Sequence, residues 1–306
     1  MLRLLQRLAD VRQPSPAARR VLLLVGATIL LAGSVFAARA LELPTGGVRI
    51  APLMLVVVAL VPATIAINAL ELIALGRLLD QRLPVPVAVR VVVLGTAANL
   101  LPIPGAAALR IQALAGGGAT YRAATAINVA AAVVWLGNAL LVAGIAIATL
   151  GRPVTAVIAI STGGAATVVG LLSSRRLATA AHRRGPLAAL ALAEVGTVVV
   201  HALRLVVLLG ALGAGVSFAA GTVVGTSGPL AAAAGVFPAG LGIAEALAAA
   251  AGSLVAVPAA AAFAAAALNR LLGYGVLGLA TLVPALRRSP RRVAPDGPDT
   301  STGAGR

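Results

Sequence analysis

Residues 123–148 read AATAINVAAAVVWLGNALLVAGIAIA, an apolar stretch that contains no charged side chain. A helix needs about 20 such residues to cross the hydrocarbon core of a membrane, so this stretch predicts a full transmembrane span. Further apolar stretches predict spans of the same kind at about residues 21–38, 50–79, 154–172, 187–212 and 257–284. We therefore expect an all-α integral membrane protein, a polytopic helical bundle with about six full spans.

The composition excludes a soluble enzyme, because 60% of the residues are hydrophobic, 10% are charged and the mean hydropathy is +1.04. The net charge of +16 comes from 24 arginines, which lie between the apolar stretches and at the two ends of the chain. Anionic lipids of the inner leaflet and the positive-inside rule favour that distribution. A nucleic-acid-binding protein gathers its basic residues on one polar face, so we expect no nucleic-acid partner.

The chain has no cysteine, and its two histidines and eight acidic residues are spread along its length. Disulfides and thiolate metal sites are therefore excluded, and the spacing of the other ligand types does not indicate a metal cluster. We predict that the protein uses no cofactor and no metal.

The chain divides into three predicted segments. Residues 1–20 alternate apolar and basic positions, which is typical of an amphipathic helix on the cytoplasmic membrane surface. Residues 21–284 form a single transmembrane domain, and residues 285–306 form a basic cytoplasmic tail without core-forming residues, predicted to be disordered. Ala38-Arg39-Ala40 loosely resembles a signal-peptidase site, but an uncleaved first span fits better because many further spans follow.

Two breaks interrupt apolar segments that are too short to cross the membrane. The first, Leu101-Pro102-Ile103-Pro104-Gly105, lies within a predicted re-entrant hairpin at about residues 86–115, since proline twice in three residues cannot continue a helix. The second, Phe237-Pro238-Ala239-Gly240-Leu241-Gly242, lies within a broken region at about residues 216–256. Such backbone survives at membrane depth only where protein or water covers it.

The number of membrane crossings places the two breaks on opposite sides of the membrane. If both basic termini and the basic loop at 175–184 face the cytoplasm, six crossings are needed. The first hairpin must then enter the membrane from the cytoplasmic side and the second broken region from outside. Two discontinuous elements on opposite faces are the pattern of an inverted repeat, and in transporters such elements mark the substrate site.

Charged residues inside the predicted spans are the next signal, because each costs at least about 2.5 kcal/mol near the bilayer centre. Glu194, His201 and Arg204 share one side of a single helix, which we expect to face the bundle interior. A structural ion pair that only fixes packing explains that stripe equally well. Glu71 is a further buried candidate, with a position in the interfacial zone as the alternative.

The first break brings together an amide, a bend and a guanidinium, in Asn99, Pro102 and Arg110. An arginine offers a planar fork of donors for a phosphate group, so we expect a phosphate headgroup to bind here.

The second break places Pro238, Gly240 and Gly242 at the start of a half-helix, where free amide groups and the helix dipole favour an anion. Glu245 lies in the first turn of that half-helix, and a helix-capping carboxylate is its alternative interpretation. Arg270, in the last span, is either a headgroup contact or an arginine that snorkels from a deep position.

Two motifs resemble the flippase-like transmembrane domain of lysylphosphatidylglycerol synthases, a family with many stand-alone members. They are Asn99-Leu100-Leu101-Pro102-x-x-Gly105 with Arg110, and Pro238-x-Gly240-x-Gly242-x-x-Glu245 with Arg270. The resemblance covers roughly residues 21–282. Where relatives often carry a Gly-Glu pair in the first motif, this chain has Gly105-Ala106, which weakens a proton-coupled or cation-binding role at that position. The aminoacyl-transfer domain of the full synthases is missing, so the resemblance implies lipid handling without lipid aminoacylation.

The function that we expect is a transporter, not an enzyme, which moves a membrane lipid or a lipid-linked precursor with an anionic headgroup between leaflets. Arg110, Arg204 and Arg270 would hold the phosphate, and the buried glutamates would pair with them or with a cationic group. The protein would be a multi-pass protein of the cell (cytoplasmic) membrane with both termini in the cytoplasm.

Two other classes of function stay open at this stage. One is an intramembrane phosphatase of polyprenyl diphosphate, with His201 or Ser227 as the reactive group. The other is a non-catalytic membrane partner of a glycosyltransferase. The partners that we expect are membrane lipids or a lipid-linked precursor, with a membrane glycosyltransferase or a second copy of the chain as further candidates.

Overall fold

The computed structural model describes residues 49–98, 105–234 and 242–287, and also residues 28, 31–37, 39 and 40. Within these ranges the chain is helical and contains no β-strand. The predicted surface segment at 1–20, most of the predicted first span and the tail beyond residue 287 lie outside the described residues, as do the two breaks, at 99–104 and 235–241. The first span is helical at 31–37, where Ala37 packs beside Phe263.

From residue 49 onward the described helices are, in chain order, α1 Ile50–Leu78, α2 Val85–Ala98, α3 Gly105–Gly116, α4 Tyr121–Thr149, α5 Pro153–Leu177, α6 Arg184–Ala211, α7 Phe218–Gly225, α8 Ser227–Ala234, α9 Ile243–Leu254 and α10 Ala259–Arg287. Five of them, α1, α4, α5, α6 and α10, contain stretches long and apolar enough to cross a membrane. These helices confirm an all-α membrane protein. The predicted sixth crossing, at residues 21–38, falls mostly outside the described residues.

The first described span, α1, contains a π-helical turn at Val56–Leu60. Pro62 follows directly, and its ring would clash with the carbonyl group of Val58 in a regular α-helix. A wider turn before the proline removes that clash, as π-turns and prolines do in other bent helices. The rest of α1 is regular and carries Thr64, Asn68 and Glu71 on successive turns, all directed toward the bundle interior.

The helices α4 and α5 form an antiparallel hairpin across the turn at Gly151, whose φ of 75° suits glycine. Small residues let the two backbones approach closely: a Cβ atom on Gly163 would lie 2.7 Å from the carbonyl oxygen of Gly137. The Thr167 hydroxyl donates a hydrogen bond of 3.1 Å to the Asn138 side-chain oxygen in the same interface. Close approach through small residues, with a hydrogen bond between the helices, is the usual way that spans associate in lipid.

Two pairs of short helices flank the segments where the sequence predicts breaks. In the first, α2 packs against α3, and in the second, α8 packs against α9. At 1.5 Å per residue α2, α3 and α9 are each about 18–21 Å long, which is shorter than the hydrocarbon core. Each of these three helices is therefore too short to cross the hydrocarbon core alone, whereas α10 runs on to Arg287, three residues past the predicted end at Pro284.

Two buried apolar clusters hold the bundle together. One joins the second half of α1 to α2, α3, α4 and α6, around Leu72 and Leu75. The other joins the first half of α1 to α6, α7, α9 and α10, around Leu205 and Leu208. A cavity lined by members of both clusters lies between the helices, and the buried polar residues Arg204, Ser227, Glu245 and Asn269 line it.

Candidate functional site

The cavity has a volume of about 310 Å³ and is lined by residues of α1, α2, α4, α6, α8, α9 and α10. Ligand sites span roughly 300–1,000 Å³, so the space suits a headgroup and not a whole lipid. Its walls combine apolar side chains with a ring of polar ones. The polar and amphipathic members are Thr64, Asn68, Thr96, Trp135, His201, Arg204, Ser227, Glu245, Asn269, Arg270 and Tyr274.

Arg204 is the least compensated charge in the cavity. Its side chain projects from α6, two turns before the end of that helix, and the residue is 7% exposed. Its Nη2 donates to the backbone carbonyl of Asn269 at 3.1 Å, its Nη1 lies 3.5 Å from the Thr64 hydroxyl, and its Nε has no hydrogen-bond partner. Among the described residues no carboxylate lies within ion-pair distance of this guanidinium. A buried charge without a counter-ion is costly, and an anion in the cavity would remove that cost.

Arg270, on α10, is the second guanidinium of the cavity and is paired with Glu245. Its Nε lies 2.7 Å from Glu245 Oε1, and its Nη2 lies 3.4 Å from Oε2. Glu245 is fully buried in the first turn of α9, so its carboxylate ties that half-helix to α10. Two guanidinium groups and one carboxylate leave the cavity with a net charge of +1.

Gly242 is the N-cap residue of α9 and has a φ of 77°, a left-handed conformation that glycine adopts at little cost. This geometry starts the half-helix three residues before Glu245 and so sets where the carboxylate points. Pro238 and Gly240, the other residues predicted for this anion site, lie outside the described residues, as does Asn99 of the first break.

His201 and Ser227 also line the cavity, from α6 and α8. The imidazole lies close to the backbone of α8, since a Cβ atom added to Gly228 would be 3.2 Å from His201 Nε2. These are the two groups that an intramembrane phosphatase would use, and they share one site with Arg204.

A second group of charges, formed by Glu71, Arg110 and Glu194, lies outside the set of cavity-lining residues. Arg110, on α3, forms an ion pair with Glu71 through its Nη2. Glu194, on α6, lies near both Glu71 and Arg110. Glu71 and Glu194 are 4% and 3% exposed. We call these three residues the acidic triad.

The structure thus divides the predicted site residues into two groups. It brings His201, Arg204, Glu245 and Arg270 together in the cavity, and it gathers the triad residues elsewhere. Arg110, for which the sequence predicts a phosphate contact, forms an ion pair with Glu71 and does not line the cavity. The charged residues predicted to share one face of α6 are divided between the two groups, with Glu194 in the triad and Arg204 in the cavity.

Several cavity residues have no distinctive sequence signal. Thr64 and Thr96 each donate a hydrogen bond to the carbonyl four residues earlier in their own helix, as threonines in spans commonly do. Asn269 lines the cavity directly before Arg270, and only the neighbouring arginine draws attention to it. No three metal-ligand side chains come together within the described part of the chain.

No family model matches the sequence, and it has no significant match among curated proteins or solved structures. The resemblance to the flippase-like domain therefore stays a prediction from two motifs.

Proposed function

We propose that the protein is a transporter that moves a lipid, or a lipid-linked precursor, with an anionic headgroup between the two leaflets of the cell membrane. The observation that carries this proposal is Arg204, a buried guanidinium that lines a cavity among spanning helices and has no carboxylate partner among the described residues. A phosphate group would supply the missing counter-charge, and arginine presents donors in a fork that matches phosphate oxygens.

The size and lining of the cavity agree with a lipid substrate. About 310 Å³ accommodates a phosphate-bearing headgroup, while the hydrocarbon chains would stay between the helices, in contact with lipid. The apolar walls, which include Ile65, Val92 and Leu205, suit the part of a lipid next to its headgroup. A soluble anion would gain nothing from these surfaces.

The broken helices supply a means of movement. α9 begins at a break and is attached to α10 through Glu245 and Arg270. A phosphate bound at Arg204 would compete with Glu245 for Arg270, and release of Glu245 would free the start of α9. Helix breaks next to a binding site are the elements that move in transporters. The orientation that we propose, with both termini in the cytoplasm, follows from the basic segments at the ends of the chain.

Leaflet exchange in reconstituted vesicles tests the proposal. Fluorescent phosphatidylglycerol and fluorescent phosphatidylcholine would be compared, with the wild-type chain and with Arg204→Ala and Arg204→Lys. A charge-assisted hydrogen bond contributes about 1.5–3 kcal/mol, so we expect Arg204→Ala to slow exchange of the anionic lipid by about tenfold or more. Arg204→Lys should retain part of the activity, because it keeps the charge and loses the fork.

The matched control is Arg90→Ala, which removes an exposed arginine on α2 away from the cavity. It should leave exchange unchanged. Equal exchange of phosphatidylglycerol by the wild type and by Arg204→Ala would contradict the proposal.

The shared location of His201 and Ser227 favours one alternative, an intramembrane phosphatase acting on polyprenyl diphosphate. Purified protein would then release inorganic phosphate from that substrate, and His201→Gln or Ser227→Ala would stop the release. A transporter without phosphatase activity releases none, whichever variant is used.

A further inference from the structure

A line of polar contacts connects the acidic triad to the cavity along the interface of α1 and α6. These helices are antiparallel, since Arg49 N–H donates to Ala211 at one end and Thr179 N–H donates to Leu78 at the other. Moving along the interface, Glu194 is opposite Glu71, the Thr197 hydroxyl lies 3.5 Å from the Asn68 side-chain oxygen, and Arg204 lies 3.5 Å from Thr64. We call this line, formed by those six residues, the polar seam.

The charges of the triad do not balance without a proton. Two carboxyl groups meet one guanidinium, so a fully ionised triad has a net charge of −1 in a buried position. Glu194 lies one turn before Thr197 and Glu71 one turn after Asn68 on two antiparallel helices, so the two buried carboxyl groups lie side by side. Two neighbouring carboxylates repel each other, and a proton on one of them removes that repulsion. One bound proton makes the triad neutral.

Other charged groups near these helices do not replace that proton. His201 and Arg204 belong to the cavity, about 10 and 15 Å farther along α6. On α9 and α10, Glu245 and Arg270 pair with each other. The charged residues of α2, of α4, of α5 and at the end of α1 are exposed, and they are Arg90, Arg122, Arg175, Arg176 and Arg77.

Arg110 links the triad to the first pair of short helices. It is carried by α3, the second half of the first hairpin, which packs mainly against α2 and α4. Its ion pair with Glu71 attaches the hairpin to α1 through charge. A change in the charge of the two carboxyl groups therefore acts directly on how the hairpin is held.

We propose that Glu71, Glu194 and Arg110 form a proton-binding site whose occupancy is linked, through the polar seam, to the binding of an anionic headgroup at Arg204. The first part stands on the triad alone, and the link rests on the proposed function. The step is a simple exchange with water: one carboxylate oxygen gains a proton from solvent and later returns it. No oxidant, reductant or metal takes part.

The charges determine the direction and the size of the coupling between proton binding at the triad and anion binding at Arg204. An unprotonated triad, with a net charge of −1, repels an anion at Arg204, and the proton removes that repulsion. The two sites are about 15 Å apart along α6, and at an effective dielectric constant of about 20 the interaction changes an equilibrium constant roughly sixfold. Linkage is reciprocal, so the bound anion should also hold the proton more tightly. Proton and anion would therefore move together in the same direction.

Infrared spectroscopy of the purified full chain tests the proton site without reference to transport. The carbonyl stretch of a protonated carboxyl group that is buried from water would be followed across acidic, neutral and alkaline buffers. We expect the wild type to show this signal at neutral pH. Glu71→Gln and Glu194→Gln should each lose it, because a single remaining carboxylate is neutralised by Arg110.

Two further variants serve as controls for the spectra. Glu194→Asp restores a carboxyl group and should recover the signal. Asp80→Asn removes an exposed carboxylate after α1, at a φ of 58° that asparagine tolerates, and should leave the signal unchanged. A wild type without the signal, or undiminished signals in both Gln variants, would overturn the proton site.

The link is tested by binding of a short-chain phosphatidylglycerol, whose phosphate keeps its charge near neutral pH. In the wild type the Kd should fall roughly sixfold as the triad takes up its proton, whereas Glu194→Gln should bind with a constant, low Kd. Binding of the wild type that does not change with pH would overturn the link. Absence of binding at every pH would instead contradict the proposed function, and the infrared result would still decide the proton site.

Discussion

Arg204 and Arg270 line one cavity from α6 and α10, and of the two only Arg270 has a carboxylate partner, Glu245, among the described residues. This difference gives the cavity its positive charge and gives the two arginines different roles. Arg204 is ready to receive an anion, whereas Arg270 becomes available only if Glu245 releases it. The account of function depends on this asymmetry.

A buried charge without a counter-ion, such as that of Arg204, destabilises the ligand-free protein even though it favours binding of an anion. We therefore predict that Arg204→Met raises the stability of the ligand-free protein by on the order of 1 kcal/mol, since an apolar side chain replaces a desolvated charge. Binding of phosphatidylglycerol should be lost at the same time. Thermal unfolding in detergent and lipid binding would be measured on the same preparation.

The control for this prediction is Arg90→Met, which changes an exposed arginine on α2. It should alter neither property. A less stable Arg204→Met protein would instead indicate that Arg204 fixes the packing of the helices, which is the alternative interpretation of the charged residues on α6.

Removing Arg110 should destabilise the protein more than removing either acidic partner. Arg110→Gln leaves two buried carboxyl groups without a cation, whereas Glu71→Gln leaves Glu194 to neutralise Arg110. We expect Arg110→Gln to cost about 3 kcal/mol, at the lower end of the range for breaking a buried pair, because Arg110 keeps 23% of its side-chain exposure.

A double-mutant cycle measures the coupling in this pair. Glu71→Gln combined with Arg110→Gln should recover part of the lost stability, because two neutral amides leave a single carboxyl group. Additive losses in denaturation experiments would show that Glu71 and Arg110 do not interact.

Glu245 competes with the ligand for Arg270, so its charge should limit anion affinity. Glu245→Gln raises the net charge of the cavity from +1 to +2. We expect tighter binding of short-chain phosphatidylglycerol, by about tenfold for a unit charge removed close to the phosphate. Stability should fall, since Arg270 loses its partner. Isothermal titration with Asp80→Asn as a control would measure this, and weaker binding by Glu245→Gln would contradict the competition.

The hairpin of α4 and α5 offers a matched pair of glycines for testing the packing. A Cβ atom on Gly163 would meet the Gly137 backbone at 2.7 Å, whereas one on Gly164 would meet nothing within 4 Å. Gly163→Ala should therefore destabilise the protein by about 1–3 kcal/mol through overpacking. Gly164→Ala should be neutral or slightly stabilising, because alanine favours a helix. Equal unfolding temperatures for the two variants would contradict the close packing of α5 against α4 at Gly163.

The sequence predicted the spans well because hydropathy acts over a whole helix. The start of α1 at Ile50 is identical to the prediction, and that of α6 at Arg184 is three residues earlier. The short helices on either side of the two predicted breaks agree with the action of proline and glycine on the local backbone, whereas the breaks themselves lie outside the described residues.

The partners of the buried charges were not predictable in the same way. Glu194 and Arg204 share a face of α6, but ten residues separate them by about 15 Å, more than one site can span. Which of them meets a carboxylate depends on the register of α1 against α6, which hydropathy does not encode. For this reason the stripe that the sequence indicated as one site is divided between the triad and the cavity.

Native mass spectrometry of the purified protein with its co-purified lipid shows whether Arg204 binds an anionic headgroup. We predict that the wild type retains a lipid with an anionic phosphate headgroup, that Arg90→Ala retains it equally, and that Arg204→Ala loses it. Retention of the same anionic lipid by Arg204→Ala, or retention of zwitterionic lipid alone by the wild type, would rule out this role of Arg204.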